Sequence, residues 1–118
     1  STFFINAVSA SIYYPVNPLF NHWQLAAVVV DGIEVDPDAA MADDVLYINE
    51  DNTAQSVLSG VSITGTWTID DTNTYLTIVS TDMNNAVRLK ITSVTDLSLT
   101  VERYDSAGNV TVLLFEPE

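Results

Sequence analysis

Residues 61–70 read VSITGTWTID, and this stretch decides the class of fold. Apolar or small residues occupy every second position of it: Val61, Ile63, Gly65, Trp67 and Ile69. The positions between them hold Ser, Thr and Asp. A period of two is typical of a β-strand with one buried face and one face in water. The stretch therefore predicts a strand at the centre of the chain.

Strand-like stretches also lie on both sides of it, so that we expect an all-β domain of about eight strands. They are residues 22–30, 44–51, 53–60, 74–81, 86–94, 96–104 and 109–117. Alternation in three of them predicts these inward side chains: Leu76 and Ile78, then Val87, Leu89 and Ile91, then Leu97, Leu99 and Val101. The last stretch is apolar on both faces, with Val110, Val112 and Leu114 on one and Leu113 and Phe115 on the other.

The connections indicate an antiparallel meander. Clusters of Asp, Asn, Ser and Gly, which favour turns, recur between the strands at residues 49–52, 70–73, 82–85 and 106–109. The one long connection covers residues 31–44, DGIEVDPDAAMADD. We expect a single helical turn within it, with Asp36 as its cap and Pro37 at its first position.

Eight antiparallel strands are enough to close a small up-and-down barrel, whose interior holds side chains or one small ligand. An open eight-stranded sandwich would show nearly the same alternation. In a barrel, the residues expected to form the core or to line a ligand are Trp23, Leu25, Ile63, Trp67, Leu76, Leu89 and Leu99.

The chain opens with an uncharged stretch, STFFINAVSASIYYPVNPLF, that this barrel does not need. Its even positions form an apolar face: Phe4, Val8, Ala10, Ile12 and Tyr14. We interpret residues 1–20 as a strand arm with a Pro-bounded hinge, and residues 21–118 as the barrel domain. The arm has three possible fates: it adds a strand to its own sheet, caps the barrel mouth, or pairs with the sheet edge of another copy.

Four stretches of the barrel region resemble a known family. They are WQLAAVVVDG at residues 23–32, DVLYINEDNT at 44–53, GTW followed by TIDDTNTYLTI at 65–78, and RLKITSVTDLSLTVE at 88–102. Residues 21–118 are in this respect similar to the lipocalin-like domains of secreted and lipid-anchored proteins of Bacteroidetes. The resemblance implies a small meander barrel and no known catalysis.

Composition excludes several classes of function. The formal net charge is −13, with only 3 Lys and Arg residues, so phosphate backbones and anionic membrane surfaces would repel the protein. The absence of Cys removes disulfides and thiolate chemistry. No apolar run reaches the length of about 20 residues that a membrane span needs. High acidity and many threonines favour an extracellular or cell-surface location.

Individual candidate sites each have an ordinary alternative. His22 is the only histidine, and we expect a structural role for it. Asp36, Asp38, Asp43 and Asp44 crowd one loop and are weak candidates for calcium, although their spacing matches no calcium loop. The five tyrosines could form a carbohydrate- or partner-binding surface. Asn109 begins the glycosylation sequon Asn-Val-Thr.

These observations lead to two hypotheses of function, neither of them enzymatic and neither requiring a cofactor. The first is a secreted structural or surface protein that assembles with copies of itself through residues 3–14. The second, which the lipocalin resemblance suggests, is a binding module for a small lipophilic molecule.

Overall fold

The computed structural model describes residues 17–118, and within them almost all regular structure is β. A short 3₁₀ helix, Asn17–Leu19, precedes nine strands. The strands are β1 Asn21–Val30, β2 Ile33–Val35, β3 Val45–Ile48, β4 Thr53–Leu58, β5 Val61–Ile69, β6 Tyr75–Ser80, β7 Ala86–Val94, β8 Leu99–Tyr104 and β9 Val110–Pro117.

Eight of these strands close an antiparallel barrel. The order is β1-β3-β4-β5-β6-β7-β8-β9, and β9 pairs back onto β1, with Trp23 opposite Pro117 and Val29 opposite Val112. Sequence neighbours are spatial neighbours from β3 to β9, which is an up-and-down arrangement. The predicted all-β meander barrel is therefore confirmed, and the open sandwich is not what forms.

The ninth strand, β2, lies outside the barrel. It forms a hairpin with the second half of β1, in which Val30 is opposite Ile33 and Val28 is opposite Val35. The turn residues Asp31 and Gly32 have φ angles of 51° and 79°, the positive values that a tight two-residue hairpin requires. The first half of β1 pairs instead with β3.

The helical turn predicted for residues 31–44 is wrong. This connection holds β2 and then a series of turns. Asp38, and not Asp36, organises the turns, because its side chain accepts hydrogen bonds from the backbone N–H groups of Ala40 and Met41 at 3.0 and 3.2 Å. A capping Asp at this position closes one turn, and the chain must then enter β3, so no helix propagates.

The two ends of the barrel differ, and we name them by their contents. The helix end carries the 3₁₀ helix and the turns that follow β3, β5 and β7. There Leu19 is buried, and the ring of Phe20 lies 5.7 Å from that of Trp67, so these residues close the end. The hairpin end carries β2 and the turns that follow β4, β6 and β8.

The core fills the middle of the barrel. Most of the inward residues predicted from alternation are buried, and Leu113 and Phe115 form the inner face of β9. The prediction for Leu97 is wrong: its side chain is 77% exposed. It lies in the turn before β8, where Leu97 and Ser98 both donate their backbone N–H to the hydroxyl of Thr95, so the alternation of β8 begins only at Leu99.

Candidate interaction surfaces

The edge of β2 is the first candidate surface. Among the described strands, β2 has only β1 as a neighbour. Because Val30 and Ile33 close a two-residue hairpin, Ile33 and Val35 exchange their backbone hydrogen bonds with β1. The N–H and C=O of Glu34 then point away from the sheet. An edge of this kind can accept one more strand.

Exposed apolar side chains surround this edge. Ile33 is 65% exposed and Val35 is 41% exposed on β2, and Val30 opposite them is 51% exposed. Val61, at the start of β5 on the same end of the barrel, is 61% exposed. Strand edges with such side chains are normally covered or made charged. Here Glu34 and the flanking Asp31 and Asp36 supply negative charge, and the apolar side chains stay in water.

The predicted donor strand falls outside the described residues. Phe4, Val8, Ala10, Ile12 and Tyr14 all belong to this part of the chain. What the structure does describe is where the chain joins the barrel. Leu19 packs into the helix end, and the following residues lead directly into β1. The junction and the β2 edge therefore lie at opposite ends of the barrel.

The residues predicted as core or ligand-lining form one cluster. Trp23, Leu25, Ile63, Trp67, Leu76, Leu89 and Leu99 are all buried within it. Trp23, Leu76, Leu89 and Leu99 have no exposed surface at all. A side chain beside a water-sized void would retain some accessible surface, so these described residues border no such void.

The carboxylates proposed for calcium do not converge. Within residues 17–118, no group of three or more His, Cys, Asp or Glu side chains could hold a metal ion. The side chain of Asp38 is hydrogen-bonded within its own turn, and Asp36 and Asp43 are exposed.

Asp44, the fourth of these carboxylates, is buried, and its Oδ2 accepts the backbone N–H of Ser59 at 2.8 Å. Loss of hydration raises the pKa of Asp44, against the lowering effect of backbone hydrogen bonds from Ser59 and Gly60.

His22 contacts Tyr47 and Asn49 at the helix end. Its ring stacks on that of Tyr47 with centroids 4.1 Å apart, and its Nε2 lies 3.3 Å from Oδ1 of Asn49. The hydroxyl of Tyr47 donates to a carboxylate oxygen of Glu118 at 2.8 Å. These contacts tie β1, β3 and the last residue together at the helix end.

Asn109 is exposed at the turn before β9. Its backbone N–H donates to Oδ1 of Asp105 at 2.9 Å, and its side-chain nitrogen lies 3.3 Å from Oδ2 of the same residue. The sequon is therefore accessible, although its amide is engaged by a neighbouring carboxylate.

A cleft on the outer face of β6, β7 and β8 is the second candidate surface. Tyr75, Arg88, Lys90 and Tyr104 line a volume of about 450 Å³. The alternation in β7 places Arg88 and Lys90 on its outward face. What sequence reasoning missed is the register, which puts Tyr75 opposite Lys90 and brings the end of β8 alongside Arg88. No local pattern in the sequence shows that Tyr75 and Tyr104 share a site.

Comparisons with known proteins add nothing to this geometry. Neither the models of known protein families nor the curated proteins yield a match to the chain. Among residues 17–118, no helix has the length and apolar character that crossing a membrane demands.

Proposed function

We propose that this is a non-enzymatic structural protein, extracellular or on the cell surface, in which the N-terminal strand of one copy pairs with the β2 edge of the next. The observation that carries the proposal is the outer edge of β2, which pairs with no other strand among residues 17–118 and has Ile33 and Val35 exposed beside the outward backbone groups of Glu34. Strand addition at such an edge is a common mode of recognition, in which backbone hydrogen bonds supply affinity and alternate side chains supply specificity.

Charge favours the N-terminal segment as the strand that pairs with the β2 edge. Residues 1–16 contain no Asp, Glu, Lys or Arg, whereas β2 and its flanks carry Asp31, Glu34 and Asp36. Two β2 edges brought together would place like carboxylates side by side, which destabilises a strand pair. An uncharged donor with apolar side chains avoids that repulsion and covers Ile33 and Val35.

The positions of the two elements favour pairing between copies. An arm that turned back along its own barrel would first pass strands whose edges are already paired, and β1 alone is about 30 Å long. If the helix end of one copy faces the hairpin end of another, residues just before the hinge meet the β2 edge directly. Such a head-to-tail contact generates a filament unless the rotation closes a ring.

The interior of the barrel supports this choice over a lipophilic ligand. A module that binds a small lipophilic molecule would need an interior space of at least about 300 Å³. The fully buried side chains of Trp23, Leu76 and Leu99 instead pack inside the barrel towards its helix end. The self-assembly proposal requires no interior space.

The test uses the full chain in light scattering at several concentrations. Val8→Asp combined with Ile12→Asp places two charges on the apolar face of the arm, and we expect it to abolish oligomers. The matched control, Ser9→Asp with Ser11→Asp, adds the same charge to the opposite face and should leave most assembly intact. Oligomers that survive the first pair of substitutions would contradict the proposal.

A second pair of variants tests the acceptor. Glu34→Pro removes the outward N–H of β2 while leaving its pairing with β1 in place, because proline is tolerated where a strand N–H faces solvent. We expect it to weaken assembly, whereas Glu34→Thr, which keeps the N–H and removes a charge, should retain or strengthen assembly. Equal behaviour of the two variants would argue against strand addition at β2.

A further inference from the structure

The outer cleft of β6–β8 concentrates positive charge on a strongly negative protein. Two of the 3 basic residues, Arg88 and Lys90, line it. The third, Arg103, follows the inward-facing Val101 by two positions, and its charge partly opposes the rise that burial causes in the pKa of Asp44. The cleft is therefore a cationic site with no counterpart elsewhere in residues 17–118.

Arg88 is held in position by an aromatic ring. The central carbon of its guanidinium lies 3.9 Å from the centroid of the Tyr75 ring, which is the geometry of a cation–π contact. Arg88 itself remains exposed. The contact restricts the side chain before any ligand arrives, so less rotamer entropy is lost on binding.

Tyr104 forms the opposite wall. Its ring is 52% exposed, and its hydroxyl donates a hydrogen bond of 3.0 Å to Oε1 of Glu102. This hydrogen bond raises the pKa of Tyr104 above its ordinary value of 10.0. Glu102 stands opposite Lys90 in the β7–β8 register. The cleft thus combines two cations with an accessible aromatic face, and the carboxylate of Glu102 lies next to these residues on β8.

We propose that this cleft binds a carboxylate-bearing sugar ring, such as a hexuronic acid. Arg88 and Lys90 pair with the carboxylate, and the Tyr104 ring packs against the apolar face of the sugar. The carboxylate of Glu102 accepts a hydrogen bond from a sugar hydroxyl. A volume of about 450 Å³ accommodates one or two such rings.

Charge selects a carboxylate over a phosphate ester. Arg88 and Lys90 bring two positive charges to the cleft, Glu102 opposite Lys90 and Asp70 near Arg88 offset part of them, and the protein as a whole is strongly negative. A monoanion therefore meets less repulsion there than a phosphate dianion does. The hydroxyls of a sugar also donate to Glu102, whose Oε1 already accepts the Tyr104 hydroxyl, and a purely aromatic acid has no such donors.

The inference does not depend on self-assembly, because the cleft lies on β6–β8 and the assembly edge lies on β2. The test is calorimetry or NMR titration of the full chain with glucuronate, glucose and glucose 6-phosphate. We expect glucuronate to bind, glucose to bind at least about tenfold more weakly, and the phosphate not to exceed glucuronate. Equal binding of glucose and glucuronate, preference for the phosphate, or no binding of glucuronate would each overturn the proposal.

Two variants with the same change in net charge distinguish binding at the cleft from general electrostatic attraction to the whole protein. Arg88→Gln removes a cation from the cleft, and we expect it to weaken glucuronate binding about tenfold. Arg103→Gln removes a cation outside the cleft and should leave the affinity unchanged. Tyr104→Ala should also weaken binding, with circular dichroism used to verify that each variant is folded. Equal losses in the two arginine variants would contradict a localised site.

Discussion

The indole nitrogen of Trp23 donates a hydrogen bond of 3.0 Å to the backbone carbonyl of Leu19, and both residues are almost completely buried. Trp23 lies on β1, and Leu19 is the last residue of the 3₁₀ helix. The bond therefore fastens the segment that closes the helix end to the first strand of the barrel. A carbonyl buried in this way needs a partner, because there is no water to replace it.

We expect Trp23→Phe to destabilise the protein by about 2 kcal/mol or more, because it leaves the Leu19 carbonyl unpaired and opens space in the core. Denaturant unfolding measures the change. The control is Tyr47→Phe, which removes an exposed hydrogen bond to Glu118 and should cost less than about 0.5 kcal/mol. Equal losses of unfolding free energy in the two variants would mean that the buried Trp23–Leu19 hydrogen bond stabilises the protein no more than an exposed one.

Gly65→Ala should destabilise the protein more than the addition of a single methyl group suggests. A Cβ at Gly65 would overlap the backbone carbonyl oxygen of Val79 on the neighbouring strand. Backbone cannot move aside without opening the β5–β6 pairing, so we expect a loss above about 3 kcal/mol in unfolding free energy. In the control Gly60→Ala, the added Cβ meets nothing within 4 Å, and only the φ of +79° is strained. That variant should lose about 1–2 kcal/mol.

Asp70 makes stability dependent on pH in the acid range. Backbone hydrogen bonds from Tyr75 and Thr74, with a further one from the Thr72 hydroxyl, lower its pKa from the ordinary 3.8. A carboxylate with a lowered folded-state pKa stabilises the protein above 3.8, and this contribution is lost as the pH falls through the folded-state value. Asp70→Asn should therefore be less stable than the parent at pH 7, with the difference shrinking towards pH 2–3. Denaturant unfolding over a series of pH values measures it.

Asp44 should respond in the opposite direction. Its pKa is raised from 3.8 by burial, so its contribution is most favourable below 3.8 and is lost as the pH rises through the folded-state value. Asparagine keeps an oxygen acceptor for the Ser59 N–H and carries no charge. The stability of Asp44→Asn relative to the parent should then improve as the pH rises from about 3 to 7. A difference that stays flat across this range would contradict the raised pKa.

The barrel could be predicted from the sequence because its strands have one buried face. The alternation in residues 61–69 matches the observed pattern closely, with Ile63, Gly65 and Trp67 buried and the residues between them exposed. Turn-forming residues separate the strands, so pairing between neighbours follows from chain order. Eight strands make closure between β1 and β9 possible, but the sequence alone does not distinguish the closed barrel from an open sandwich.

Other features could not be predicted because they depend on contacts far apart in sequence. β2 has three exposed residues and therefore no alternation to detect. The outer cleft depends on the relative register of β6, β7 and β8, which is set by pairing and by the bulge between Ile91 and Ser93. Leu97 follows the correct period but lies before the strand begins. Local pattern decides which residues face inward, and long-range pairing decides which residues meet.

The seam between β1 and β9 has a consequence for how the chain folds. It joins Trp23 to Pro117, which lie near opposite ends of the described chain, whereas every other barrel pairing links strands that are neighbours in sequence apart from the β2 hairpin between β1 and β3. Bringing such distant residues together carries the largest loss of chain entropy and gains nothing until the intervening hairpins exist. We therefore expect the meander from β3 to β9 to assemble first, and closure of the seam to set the folding rate. Substitutions in the β5–β6 hairpin, which is already formed when the seam closes, should then mainly slow folding. Substitutions at the seam, such as at Leu25 opposite Phe115, should slow folding only in part and also speed unfolding.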